Sequence, residues 1–168
     1  MTRVKVITTG IILLSLFFFI TNCKKREYQA IIGSQAPDFT LTDLDGNKVS
    51  LSNYKGTVII IDFWATWCPP CKDSIPFLEG LHQRYREKGL VILGISFDGD
   101  TDTVRNFRKK ITMTYPVLMG DDRLKNDYGL IGIPEMFILD RNGILKHHHL
   151  GFDDSLPAQI EKEVMELL

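Results

Sequence analysis

Thr57 to Trp64 reads Thr-Val-Ile-Ile-Ile-Asp-Phe-Trp, a β-branched and aromatic run with no polar alternation. A strand with one wet face alternates apolar and polar residues, so this run predicts a strand covered on both faces. Covering both faces takes a layer on each side of a sheet, which narrows the chain to layered α/β architectures. The run leads directly into Cys68-Pro69-Pro70-Cys71. The residues that follow read as a helix through about Glu87, ended by Gly89.

The rest of the chain supplies partners for that strand. Residues 36–52 read as two short strands with Asp45-Gly46 as the turn between them. Leu90 to Phe97 is a second buried run, Thr101 to Lys110 a helix, Pro116 to Leu118 a strand, and Arg123 to Tyr128 a helical turn. Glu135 to Leu139 and Ile144 to Leu150 read as strands joined at Arg141-Asn142-Gly143. Ser155 to Leu168 closes the chain as a helix, with Asp154 or Ser155 as its cap and Pro157 in its first turn. The order ββ, βαβ, αβ, ββα is that of an α/β sheet with late antiparallel strands.

With 168 residues, the chain has room for one domain and a short extra segment. The formal charge of −1 gives no footprint for a nucleic-acid partner. The extra segment is at the start. Arg3 and Lys5 precede the 15-residue apolar stretch Val6–Ile20, short against the ~20 residues of a spanning helix and suited to the core of a signal peptide. Ile20-Thr21-Asn22-Cys23 resembles the lipobox of bacterial lipoproteins, with Cys23 the lipidated residue, although Asn22 stands where a smaller residue is usual. An uncleaved anchor or a plain signal peptide is the alternative. Lys24, Lys25 and Arg26 add positive charge beyond the apolar stretch, which leaves the orientation of an anchor open, a cytoplasm-facing domain included. The expected organisation is a leader over 1–23, a tether over 24–35 and a folded domain over 36–168. Without 1–23 the chain keeps 18 Lys and Arg against 21 Asp and Glu, a formal charge of −3. It also keeps two cysteines, one local pair rather than a disulfide-stapled scaffold.

A cysteine at a helix N-terminus faces unpaired N–H groups and the positive end of the helix dipole, which favour thiolate over thiol. Cys68 is therefore expected to be the exposed nucleophile. Cys71, one turn inside, is the buried resolving thiol, and the two prolines hold the pair close. Cys68 attacks a substrate disulfide, and Cys71 then attacks Cys68 and releases the reduced substrate. The competing reading is half of a zinc site. It needs about two more ligands, and the candidates, His147, His148 and His149, alternate between strand faces. They read as a solvated strand, and no metal or other cofactor is expected.

Asp62-Phe63-Trp64-Ala65-Thr66-Trp67-Cys68-Pro69-Pro70-Cys71-Lys72 resembles the active-site strand and turn of the thioredoxin superfamily. Gly33-Ser34-Gln35-Ala36-Pro37-Asp38-Phe39, the Asp45-Gly46 hairpin, and Gly132-Ile133-Pro134-Glu135-Met136-Phe137-Ile138-Leu139-Asp140 resemble its TlpA/ResA branch of membrane-tethered, extracytoplasmic thiol–disulfide proteins. The resemblance spans about residues 33–168. It implies a thioredoxin-like three-layer α/β fold, a central mixed sheet flanked by helices, with an N-terminal hairpin extension. It also implies that Asp62 is a buried acid able to deprotonate Cys71, that Pro134 is a cis-proline packed against the dithiol, and that Pro76 kinks the active-site helix. Ile133 then offers its backbone to an extended substrate, and Trp67 and Pro69 line the same surface. Two positions depart from the pattern. Ser74 stands where the ResA-like glutamate is expected, and Glu135 follows Pro134 where threonine is common, which would put negative charge near the substrate groove.

The leading expectation is a monomeric enzyme that reduces protein disulfides outside the cytoplasm, for instance before haem attachment. A membrane donor would feed it electrons, and a lipid or an N-terminal anchor would hold it to the membrane. A thiol peroxidase is the second reading, weakened by Ala65 where peroxiredoxins carry threonine. A copper carrier of the Sco type is the third. The polarity of the site, with a Pro-Pro dipeptide between the cysteines and Asp62 behind them, leans towards a reductant.

Overall fold

In the computed structural model, which describes residues 30–168, the β-branched run lies inside a seven-stranded sheet. The strands are β1 (Thr40–Asp43), β2 (Lys48–Ser50), β3 (Val58–Trp64), β4 (Leu90–Ser96), β5 (Val117–Met119), β6 (Glu135–Leu139) and β7 (Leu145–Leu150). The helices are α1 (Pro69–Tyr85), α2 (Thr101–Arg108), α3 (Asp122–Tyr128) and α4 (Leu156–Leu167). The sheet order is β2-β1-β5-β4-β3-β6-β7. β3, β4 and β5 run parallel, while β6 lies antiparallel to β3 and β7 antiparallel to β6. The N-terminal hairpin extends the same sheet, because β1 pairs antiparallel with β5.

Every residue of β3 is buried, as its lack of alternation predicts. Ile60 and Trp64 face one core, closed by Ile75, Leu78 and Leu81 of α1 and by Ile160 and Val164 of α4. Ile59, Ile61 and Phe63 face the other, closed by Leu124 and Tyr128 of α3 and by Phe39 and Leu51. There the ring of Phe63 meets Tyr128 edge-on at 5.2 Å and Phe137 at 6.0 Å. Leu78 is fully enclosed between α1 and the sheet. Leu78→Ala is expected to cost about 2–5 kcal/mol, from lost transfer energy and the cavity left behind. A urea titration checks this, with the midpoint falling at unchanged slope.

Two local features differ from the sequence-based expectation. Ser155 is the N-cap of α4 but makes no capping bond, since its hydroxyl donates to the Asp153 carboxylate at 2.6 Å. The backbone of Gly33 and Ser34, near the end of the expected tether, is hydrogen-bonded to Leu145. Pro76 lies inside α1, where the resemblance sets the proline of the active-site helix.

Candidate active site

β3 ends at Trp64, and a short turn carries the chain to Cys68, the N-cap of α1. The Cys71 N–H donates to Cys68 Sγ at 3.3 Å, so the sulfur takes the place of a capping oxygen. Pro69 and Pro70 open the helix, where a missing N–H leaves no donor unpaired. Cys68 and Cys71 form a disulfide with their Cα atoms 5.3 Å apart. Cys68 is only 3% exposed, against the expectation of an open nucleophile, because it packs with the core on the α1 face and is bonded to Cys71. It is still the one cysteine of the pair with any exposure, as Cys71 has none.

Asp98 fixes the turn ahead of Cys68. Its buried carboxylate accepts from the Thr66 N–H at 2.9 Å, the Thr66 hydroxyl at 2.6 Å and the Ser96 hydroxyl at 2.7 Å. The parallel register sets Ser96 beside Trp64, which brings Asp98 level with Thr66. An aspartate two residues past Ser96 reads as ordinary loop, so the sequence reading missed it. Its place at the end of a buried parallel strand, on the side where Cys68 emerges, was the available signal.

Asp62 sits on the α1 face of β3 with Ile60 and Trp64, fully buried, and neither carboxylate oxygen has a hydrogen-bond partner. Burial in this apolar setting pushes its carboxyl up from 3.8 to about 7. The Ile133–Pro134 peptide bond is cis. The antiparallel register pairs Glu135 with Phe63, so Pro134 stands level with Trp64 at the mouth of the Cys68 turn. Trp67 is 65% exposed and, with Phe97, Lys125, Leu130, Gly132 and Ile133, lines an open cavity of about 230 Å³. A larger cavity, about 590 Å³, lies at the other end of β3 beside Gly56 and Arg141, away from the disulfide. Ser74, where an acid was the family expectation, donates its hydroxyl to the Cys71 carbonyl at 2.9 Å.

Glu135 does not line the Trp67 cavity. It shares its strand face with Phe137 and Leu139, is 1% exposed, and accepts from the N–H groups of Ile131 and Gly132. His148, stacked on Phe137 at 4.5 Å, meets it at 2.7 Å. Backbone donors and an imidazole are what a carboxylate needs in order to remain buried. The histidine run is likewise engaged more than a solvated strand would be. His147 and His149 share the opposite face, as their spacing predicts, and His149 is buried against Glu163 of α4 at 2.7 Å. Cys23 and the expected leader lie outside the described residues. Among the described residues no helix is long and apolar enough to cross a membrane.

A disulfide closing the N-terminus of the helix after the central strand of a mixed sheet, with a cis-proline level with it, defines a thioredoxin-like thiol–disulfide oxidoreductase. Residues 32–148 match the AhpC/TSA family, and the chain belongs to that family. It is 37% identical over 120 residues to the thiol-disulfide oxidoreductase ResA of Bacillus thuringiensis subsp. konkukian, covering 70% of this chain and 69% of that one. It is 35% identical over 130 residues to the thioredoxin-like protein YneN of Bacillus subtilis, covering 76% of each. Among solved structures, a Chlorobium tepidum protein assigned as the thiol:disulfide interchange protein DsbE superposes with a TM-score of 0.79. That match is at 30% identity and covers 83% of this chain and 99% of the other.

Proposed function

We propose that the protein reduces disulfides of extracytoplasmic proteins, with Cys68 as nucleophile and Cys71 as resolving thiol. The observation that carries this reading is the Cys71 N–H on Cys68 Sγ at the start of α1. In the reduced protein the same amide and helix end hold Cys68 as the thiolate, whereas Cys71 lies deeper, against apolar side chains. Asp62 takes the proton from Cys71, directly or through one water, so that the Cys71 sulfur can attack. Trp67, Pro69 and the backbone of Ile133 beside Pro134 receive an extended substrate segment alongside the dithiol. Lipidation of Cys23, or an anchor over 1–23, holds the domain at the membrane, where a membrane donor re-reduces it. Disulfides that must be opened before haem attachment are one substrate class of this kind. The reductase direction follows from the buried carboxyl behind the site, whose negative form opposes a thiolate nearby, and from the absence of a polar side chain between the cysteines.

The test is the reduction potential of a soluble form starting at Glu27, equilibrated with glutathione and read by thiol alkylation. A value below roughly −220 mV is expected, in the range of thioredoxin-like reductants. A value near roughly −120 mV would make the protein an oxidant and overturn the direction.

A further inference from the structure

Five buried side-chain polar atoms among the described residues have no hydrogen-bond partner: both Asp62 carboxylate oxygens, Trp64 Nε1, His82 Nδ1 and the Tyr115 hydroxyl. Buried polar atoms are nearly always paired, directly or through an internal water. These five are not scattered. Asp62 and Trp64 lie two residues apart on one face of β3, and the parallel register sets Gly94 beside Asp62. A side-chain carbon at Gly94 would stand 3.1 Å from the Tyr115 ring and 3.2 Å from Trp64 Nε1. The missing Cβ therefore lets a phenol and an indole N–H close over the strand next to the carboxyl. The Tyr115 ring also meets the His82 ring edge-on, 6.0 Å between centroids. His82 sits on the flank of α1, half-buried. Packed rings thus link the strand position beside Asp62, through Tyr115, to His82 on the flank of α1.

We infer that Tyr115 and His82 are positioning residues for the resolving step, carrying the proton that Asp62 takes from Cys71 out to solvent along the flank of α1. The inference rests on the reading of Asp62 as the base. Its chemistry fits the groups. A protonated carboxyl donates, a phenol both accepts and donates, and a neutral imidazole accepts at Nδ1 while holding its proton at Nε2. Trp64 Nε1 donates only, so it can anchor a water but not pass a proton. A water between successive members closes any gap. Desolvation, its largest influence, lowers the His82 imidazole below its ordinary value, which keeps the ring neutral and accepting. The other charges acting on these rings are Glu79 and Arg108 on Tyr115, and Glu79 and Arg86 on His82.

The step balances without a further reactant. Cys71 loses its proton to the Asp62 carboxylate, and its sulfur bonds to Cys68 Sγ. The bond from Cys68 to the substrate sulfur breaks, and the electron pair leaves with the substrate thiolate, which takes a proton from solvent. Before the exchange, Asp62 passes the Cys71 proton on to solvent through Tyr115 and His82, since a proton left on the carboxyl would return to Cys71. The substrate covers Cys68 during this step and Asp62 has no exposure of its own, so a rear exit lets the base reset before the substrate departs.

The test is the single-turnover rate of mixed-disulfide resolution near neutral pH, for Tyr115→Phe and His82→Ala, each alone and combined with Asp62→Asn. Each relay variant is expected to slow resolution about 10-fold, less than the ~10²-fold or more of a positioned acid–base group, because slow exchange remains. Added imidazole should restore the His82→Ala rate, which it would not do for a packing defect. Neither variant should slow the protein further once Asp62 is Asn. Wild-type rates in both relay variants, or equal slowing in the Asp62→Asn background, would overturn the relay and leave the base intact. An unchanged rate in Asp62→Asn alone would remove the base and the relay together. Should Tyr115→Phe not fold, imidazole rescue of His82→Ala decides.

Discussion

Cys68→Ser is expected to abolish disulfide reduction, with turnover falling to that of the reductant alone, whereas Cys71→Ser should react once and stop. The asymmetry follows from the helix end. Cys68 caps α1 and takes the Cys71 N–H, so its thiolate has both the amide and the helix dipole to stabilise it. A serine hydroxyl at the same place is essentially never ionised near neutral pH and has no base beside it for activation, so the helix end has nothing to act on. Cys71 has no exposure and cannot meet a protein disulfide until Cys68 has brought the substrate to it. In Cys71→Ser the first attack proceeds, the mixed disulfide has no internal thiol to resolve it, and one substrate remains bound per chain. Mass spectrometry of the quenched reaction reads this directly: an adduct on Cys71→Ser and none on Cys68→Ser. Equal adduct formation in the two variants would mean that either sulfur can start the reaction, and the helix-end argument would fail.

The parts of this site that the sequence exposes are those where local chemistry dictates geometry. An eight-residue β-branched run has no wet face to offer, and Pro-Pro between two cysteines starts a helix and little else. The parts it hides depend on register and on which face a residue takes. β6 carries apolar residues on both faces, so its pattern could not say that Glu135 turns towards Phe137 and the Ile131–Gly132 loop instead of the Trp67 cavity. Asp98 gained its role from the alignment of β3 with β4, a contact between residues 32 apart in the chain. The near-complete cover of Cys68 comes from its packing in the core on the α1 face, which the local motif does not specify. The relay groups were hidden for the same reason as Asp98: Tyr115 comes near Asp62, and His82 meets Tyr115, only after the segment before β5 and α1 pack on β4.

Asp62→Asn should make the folded protein more stable at neutral pH while slowing resolution, two effects of opposite sign from one carboxyl. Asp62 titrates near 3.8 in the unfolded chain, and burial lifts it to about 7 in the folded one. Below about pH 3.8 both states hold the proton, and the group contributes no difference. Between about pH 3.8 and about 7 the folded state holds a proton that the unfolded state has released, so stability falls as pH rises through this window. Above about pH 7 the penalty is complete, on the order of 4 kcal/mol at one pKa unit per ~1.4 kcal/mol. Asparagine keeps the shape, cannot ionise and avoids the penalty, although its own unpaired amide returns part of the gain. Urea titrations of the oxidised proteins should therefore show little difference near pH 4 and a gain for Asp62→Asn of up to roughly 4 kcal/mol near pH 8. A gain of equal size at both values would show that the carboxyl does not change protonation on unfolding in this range, and the buried-acid account of the site would fall. A gain confined to the higher pH, together with slower resolution, would mark Asp62 as a group retained for chemistry at the expense of stability.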